Sequence, residues 1–221
     1  MPDNYSRSSS PASVPRRPRR SLLARRRRRR LLFTLMFAMV GLVLCGRVAQ
    51  KVRAMRQPAL PPVPLAYAFH LSPNCDDRPP DAVINCVVIH ATVLNSVEET
   101  VQTFLNPAKK VSAHFVVGRE GQVVQMVPVE KRAWHAGISE LEGVPHVNDY
   151  SVGIEIVNRN DGKDPFTDAQ YEAVAGIIRF LRARYALPDS RLVSHAAIAL
   201  PAGRKSDPLG FDFARLCALA K

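Results

Sequence analysis

The sequence predicts an α/β fold: a single domain with a central mixed β-sheet flanked by helices, preceded by one transmembrane helix. Three observations carry that reading. Short β-branched apolar runs alternate with segments whose apolar residues follow helical spacing. Two capping boxes, Ser/Thr-x-x-Glu/Gln, open those segments. Charge is divided unevenly along the 221 residues: residues 1–56 hold fifteen of the 31 Lys and Arg and one acid, Asp3, leaving sixteen bases against eighteen acids beyond them. The formal net charge of +12 therefore belongs to the N-terminal segment. The remainder is close to neutral and shows no basic stripe, so nucleic acid is not expected as a partner.

The elements follow in chain order. Residues 1–30 are rich in Ser, Pro and Arg, with too little apolar surface to offset chain entropy, and read as a disordered Arg-rich cytoplasmic tail. Six arginines, Arg25 to Arg30, abut an uncharged apolar run of sixteen residues, Leu31 to Gly46. A bilayer needs about 20 such residues; Val48 and Ala49 extend the run, and Arg47 can snorkel to the interface. Residues 31–50 are thus a transmembrane anchor or signal segment. Leu44-Cys45-Gly46 fits a cleavage site poorly, which favours the anchor. Eleven Lys or Arg precede the run and four follow it closely, so the N-terminus is expected in the cytoplasm and the domain on the other side. Residues 51–64 form a Pro-rich linker, with four prolines between Gln57 and Pro64. Residues 65–221 are enough for one well-buried domain.

Within that domain Ile84 to Ile89 reads as a buried strand. Ser96 to Leu105 reads as a helix with Ser96 at the N-cap and Glu99 three residues on. Ala113 to Gly118 and Gln122 to Val127 flank Arg119-Glu120-Gly121 as a β-hairpin. Val152 to Val157 is a further strand. Thr167 and Gln170 make the second capping box, opening a helix whose Tyr171, Val174, Ile177, Ile178, Leu181 and Tyr185 keep helical spacing towards Pro188. A last helix starts near Asp212.

Several of these elements end in residues that can carry chemistry. His90 follows the first strand, His195 follows the short run Arg191 to Ser194, and Asp207 lies twelve residues later in a loop bounded by Pro and Gly, two residues after Lys205. Taken singly each reads as an ordinary core, loop or surface residue. Brought together, two imidazoles and a carboxylate are the parts of a zinc site with one open coordination position. Cysteine usage adds little. With Cys45 in the apolar run, Cys75, Cys86 and Cys217 remain; a Cys75 to Cys86 bridge and a buried Cys86 thiol both fit.

The order of motifs is more specific than any one of them. Val88-Ile-His90-Ala-Thr92, Val111-Ser-Ala-His114-Phe-Val-Val-Gly-Arg-Glu-Gly121, Ala133-Trp-His-Ala-Gly137, Ser151-Val-Gly-Ile-Glu155, Phe166-Thr-Asp-Ala-Gln-Tyr171, Ser194-His195 and Gly203-Arg-Lys-Ser-Asp-Pro208 resemble, in sequence and order, the zinc-dependent N-acetylmuramoyl-L-alanine amidases of the type 2 amidase family. That family is related to phage amidases and peptidoglycan recognition proteins. The resemblance spans about Leu71 to Leu216. It implies one Zn2+ per chain held by His90, His195 and Asp207, Glu155 as the acid/base acting on the attacking water, and Lys205 stabilising the oxyanion.

It also implies peptidoglycan or muropeptides as substrate. The chain would then sit as a single-pass protein of the inner membrane, with its catalytic domain in the periplasm, or be released there if the segment is cleaved. Trp134 and His135 are candidates for a substrate-binding groove wall, with a packing role as the equal alternative. His114 reads as a buried structural histidine, and His146 has no assigned role. Two departures stand out. Ala197 occupies a position where the family often has an aspartate that supports a ligand, and Asp207-Pro208 is followed by Leu209-Gly210, one residue longer than the usual Pro-Gly. A muropeptide-binding recognition module without catalysis is the alternative, and a different zinc amidohydrolase on the same fold is a third reading. Binding modules of this kind typically lack a ligand or the acid, and this chain keeps all of them.

Overall fold

The computed structural model describes residues 67–221. The expected tail (1–30), apolar segment (31–50) and linker (51–64) lie outside the described residues, and with them the expected transmembrane helix. Among the described residues no helix is long and apolar enough to cross a membrane.

A six-stranded mixed sheet organises the domain, in the order β1 (Tyr67–Phe69), β5 (Val123–Gln125), β4 (Phe115–Val117), β9 (Ser151–Ile156), β3 (Cys86–Ala91) and β10 (Leu192–Ser194). The run β4, β9, β3, β10 is parallel throughout. β5 turns back antiparallel on β4, and β1 runs parallel to β5. Two small antiparallel pairs lie apart: β2 (Cys75–Asp77) with β6 (Lys131–Ala133), and β7 (Glu140–Leu141) with β8 (Val144–Pro145). The sequence reading of a central mixed sheet with flanking helices is what the chain forms.

Period-2 alternation sorts each central strand into two faces. Val87, Ile89 and Ala91 of β3 and Val152, Ile154 and Ile156 of β9 pack on α2 (Asp168–Arg182), through Val174, Ile177, Ile178 and Leu181, and on Leu216 of α4 (Phe213–Leu219). The helix α2 starts where its capping box starts it. Thr167 Oγ1 accepts from Gln170 N, and Gln170 Oε1 accepts from Thr167 N. It ends at Arg182, so Tyr185 lies beyond it and packs against the core as a loop residue. The opposite face is covered partly by α1 (Val97–Leu105), whose Val97, Val101 and Phe104 meet Val116 and Val124. Ser96 caps α1 by accepting from Glu99 N, but the Glu99 carboxylate reaches one residue further back, to Asn95 N, so the expected box is not closed on its own cap.

Two strand boundaries move. The first buried strand begins and ends two residues later than Ile84 to Ile89, so His90 lies inside β3 rather than after it. The Cys75 to Cys86 bridge is not formed: both thiols are free, and Cys86 is wholly buried within β3, with burial pushing its thiol up to about 12.

Candidate active site

The parallel pairing of β9, β3 and β10 brings their C-terminal ends to one edge, the place where α/β sheets present side chains to a ligand. His90 is the register partner of Glu155, so both side chains leave the same face of neighbouring strands. On the other side Ser194 is level with Ile89, and the next residue, His195, opens the single-turn helix α3 (His195–Ile198). Ser194 makes that turn possible by accepting from Ala197 N. The two rings meet edge to face with centroids 4.5 Å apart.

Asp207 arrives from a loop that is tied at several points. Ala196 N donates to the Asp207 carbonyl at 2.9 Å. Asn160 accepts from Leu209 N at 2.6 Å and donates to Ser206 Oγ at 3.1 Å, bracketing Asp207. Arg204 donates to Leu200 O and Ile138 O at 2.7 and 2.8 Å. None of these ties was read from the sequence. Asn160 sits after the Glu155 strand with no motif to mark it, and the tie joins residues 46 positions apart in the chain.

The three side chains converge on one point. Asp207 Oδ2 lies 3.1 Å from His195 Nδ1 and 3.4 Å from His90 Nδ1, and one ligand atom from each lies within 4.8 Å of the others. Tetrahedral zinc with N and O ligands at about 2.0–2.2 Å sets ligand atoms about 3.3–3.5 Å apart. His195 Nε2 donates to Ala136 O at 3.3 Å, which leaves Nδ1 as a bare lone pair facing a carboxylate oxygen. His90 Nδ1 is buried and makes no hydrogen bond. Three electron-pair donors with no proton assigned between them fit a cation.

Electrostatics support the same reading. Burial pushes the His90 imidazole down to about 4, against the pull of Asp207, so it is neutral. Glu155 is pushed up to about 8, by burial first and by the charge of Asp207 second, with Lys205 opposing. Its Oε2 is buried without a hydrogen-bond partner.

A cavity of about 200 Å³ opens on the cluster, lined by Glu155, His195, Asp207 and Lys205 together with Thr92 and His135. The five residues matched to metal and catalytic positions thus share one site. The two proposed as groove wall do not share a role. Trp134 is not among the lining residues; it follows β6 directly, and its backbone N donates to Ser112 Oγ at 3.0 Å. His135 reaches the cavity but is 5% exposed, with ring nitrogens 3.1 Å from His90 and 3.2 Å from Ser151. His114, wholly buried, accepts from Gly153 N at 2.9 Å and is a structural residue.

Comparison with known proteins places this geometry. Residues 79–210 match the family model described as N-acetylmuramoyl-L-alanine amidase. A 1,6-anhydro-N-acetylmuramyl-L-alanine amidase, AmpD, of Salmonella typhimurium (strain SL1344) is 35% identical over 168 residues, covering 67% of this chain and 87% of the relative. The N-acetylmuramoyl-L-alanine amidase AmiD of Escherichia coli (strain K12) is 34% identical over 139 residues, 57% of this chain and 49% of its own length. Among solved structures, a selenomethionine derivative of AmpD superposes with a TM-score of 0.64 at 33% identity, covering 74% of this chain and all of the other. A complex of E. coli AmiD with anhydro-N-acetylmuramic acid-L-Ala-D-gamma-Glu-L-Lys gives a TM-score of 0.55 at 30% identity, over 74% of this chain and 61% of that one. The matched segment contains His90, Glu155, His195, Lys205 and Asp207, and on this ground the chain belongs to the N-acetylmuramoyl-L-alanine amidase family.

Proposed function

We propose that this chain is a zinc-dependent amidase that hydrolyses the amide bond between N-acetylmuramic acid and the L-alanine of the stem peptide in peptidoglycan or muropeptides. The observation that carries the reading is the convergence of His90, His195 and Asp207 beside a buried carboxyl with an unpartnered oxygen. His90, His195 and Asp207 would hold the metal. When bound there, zinc supplies Lewis acidity, which activates water and polarises a carbonyl at neutral pH.

The residues of the chain do the rest. Glu155, which lines the cavity with a buried oxygen that has no hydrogen-bond partner, takes a proton from the attacking water and returns it to the leaving alanine nitrogen. Lys205, at the cavity margin, places its ammonium where the carbonyl oxygen becomes negative. Relatives named for 1,6-anhydro substrates, and the anhydro-muropeptide bound to AmiD, support released muropeptides as the substrate class. A recognition module has no need of an unpartnered buried carboxyl beside the ligands.

The localisation belongs to the same proposal and is supported by sequence alone. Residues 1–30 form a cytoplasmic tail, 31–50 an inner-membrane anchor and 51–64 a spacer, with 65–221 as the zinc amidase domain in the periplasm. Digestion of purified peptidoglycan and of anhydro-muropeptides, followed by mass spectrometry of the new ends, tests the chemistry. Free stem peptides beginning with L-alanine are expected. Retention of muropeptide with no new ends would select the binding module, and cleavage inside the peptide would select a different amidohydrolase.

A further inference from the structure

The segment Trp134-His135-Ala136-Gly137 and the small residues of Ser151-Val-Gly153-Ile-Glu155 have no place in the chemistry above, yet they meet directly behind a ligand. Ser151, Gly153 and Glu155 lie on one face of β9, beside Cys86, Val88 and His90 on β3. The His135 ring lies over Gly153. A Cβ there would stand 2.7 Å from His135 Cδ2 and 2.8 Å from Nδ1, and closer still to Cγ, so only glycine leaves room for the ring. Asn148 holds the backbone beneath it, with Oδ1 accepting from His135 N at 3.2 Å and Ala136 N at 2.8 Å.

The protons on this chain of contacts can be assigned from its far end. The Val147 carbonyl can only accept, so at 2.6 Å it takes the single proton of Ser151 Oγ. Ser151 Oγ therefore accepts from His135 Nε2 at 3.2 Å. His135 is buried beside His90 and His114 with no carboxylate against it, and with its Nε2 donating to Ser151 its Nδ1 lone pair is left as the acceptor. That lone pair lies 3.1 Å from His90 Nε2, which must donate to it. A neutral His90 protonated at Nε2 has its Nδ1 lone pair turned to Asp207 and His195.

We infer that His135 is a positioning residue: with Ser151 and the Val147 carbonyl behind it, it fixes His90 as the Nε2–H tautomer and so presents His90 Nδ1 to the metal. Gly153 is the glycine that admits the ring. The same logic holds His195 by a shorter route, through the Ala136 carbonyl next in the chain, so one loop orients both imidazoles. Support for His90 and His195 thus comes from residues 135 and 136.

The inference rests on His90 as a metal ligand, and the experiment separates the two. In full-length protein stripped of metal and labelled with nitrogen-15 histidine, ring correlation spectra report each tautomer; His90 and His135 are both expected as Nε2–H. Zinc affinity is then measured by chelator competition. His135→Phe keeps a ring but offers no acceptor, and should weaken zinc binding by about 10- to 100-fold, the usual effect of losing a residue that orients a ligand. His135→Asn, whose amide oxygen stands near the place of Nδ1, should recover most of that loss. A parent spectrum with His90 as the Nδ1–H form overturns the inference, and it decides the matter alone if His135→Phe does not fold. So does a folded His135→Phe protein that binds zinc as tightly as the parent while His90→Ala does not, an outcome that leaves the ligand reading intact. Parental zinc affinity in His90→Ala would instead remove the ligand reading and the inference with it.

Discussion

Glu155 and Lys205 differ in environment as their proposed roles require: one buried with an unpartnered oxygen, the other exposed at the lining of the same cavity. Glu155→Gln preserves shape but removes the proton acceptor, so turnover should fall by about two to four orders of magnitude. Lys205→Ala should cost a similar factor through the oxyanion. Zinc content and thermal midpoint should stay near parental in both. Near-parental turnover of the zinc-loaded Glu155→Gln protein would remove Glu155 from the chemistry. A second expectation follows from the buried imidazoles. Burial holds His114 and His135 well below 6.5, whereas in the unfolded chain they take up protons as pH falls through that value. The unfolded state then binds more protons, and stability is lost as pH drops below about 6.5. Glu155, raised from 4.5 to about 8, acts with the opposite sign across the same window, but as one proton against two, and His90 adds to the majority. The denaturation midpoint of the metal-free protein should therefore fall between pH 7 and pH 5. A level or rising midpoint would contradict the neutral burial of these rings. The proposed ligands and Glu155 were legible in the sequence because motif order marks them. His135 was legible only as a motif residue: that its ring lies behind His90 depends on the pairing of β3 with β9 and on the missing side chain at Gly153.

At the scale of elements, local signals located the helices well and the short strands poorly. Thr167, Ser96 and Asp212 each cap the helix that the sequence starts there, because a cap is a contact between near neighbours. β1, β2, β6, β7 and β8 are two or three residues long and owe their form to partners far away in the chain, which periodicity cannot register. The α3 turn was missed for a related reason: four residues are too few to show a period, although Ser194 marks its cap. The Thr167 cap makes a measurable case. Its hydroxyl accepts from Gln170 N and donates to Arg119 O at 2.7 Å, tying α2 to the β4–β5 turn. Thr167→Ala should cost about 1–2 kcal/mol, a fall in thermal midpoint of about 2–4 °C per kcal/mol for a domain of this size. Zinc affinity should not change, because α2 packs on the sheet face opposite His90 and Glu155. An unchanged midpoint would show that the cap is not what fixes the start of α2.

For the whole molecule, charge and function point to one arrangement. The domain beyond residue 56 carries sixteen bases and eighteen acids, so the excess positive charge lies entirely on the segment before and just after the apolar run. Eleven Lys or Arg precede Leu31 to Gly46 and four follow within ten residues, and the proposed cytoplasmic N-terminus rests on that asymmetry. Under the proposed topology a domain that cleaves muropeptides would meet its substrate in the periplasm, with the proline-containing residues between Gln57 and Pro64 as the proposed spacer. Protease added to spheroplasts should degrade residues 65–221 and spare the Arg-rich tail, and the full-length chain should sediment with inner membranes until detergent is added. Recovery of the domain in the soluble periplasmic fraction would show that the segment is cleaved, and a domain protected in spheroplasts but digested after lysis would reverse the topology. Replacing Arg25 to Arg30 by serine tests the cause. With five basic residues left before the run and four after it, the bias nearly vanishes, so a mixed population of orientations is expected; an unchanged single orientation would mean that the arginine block does not set it.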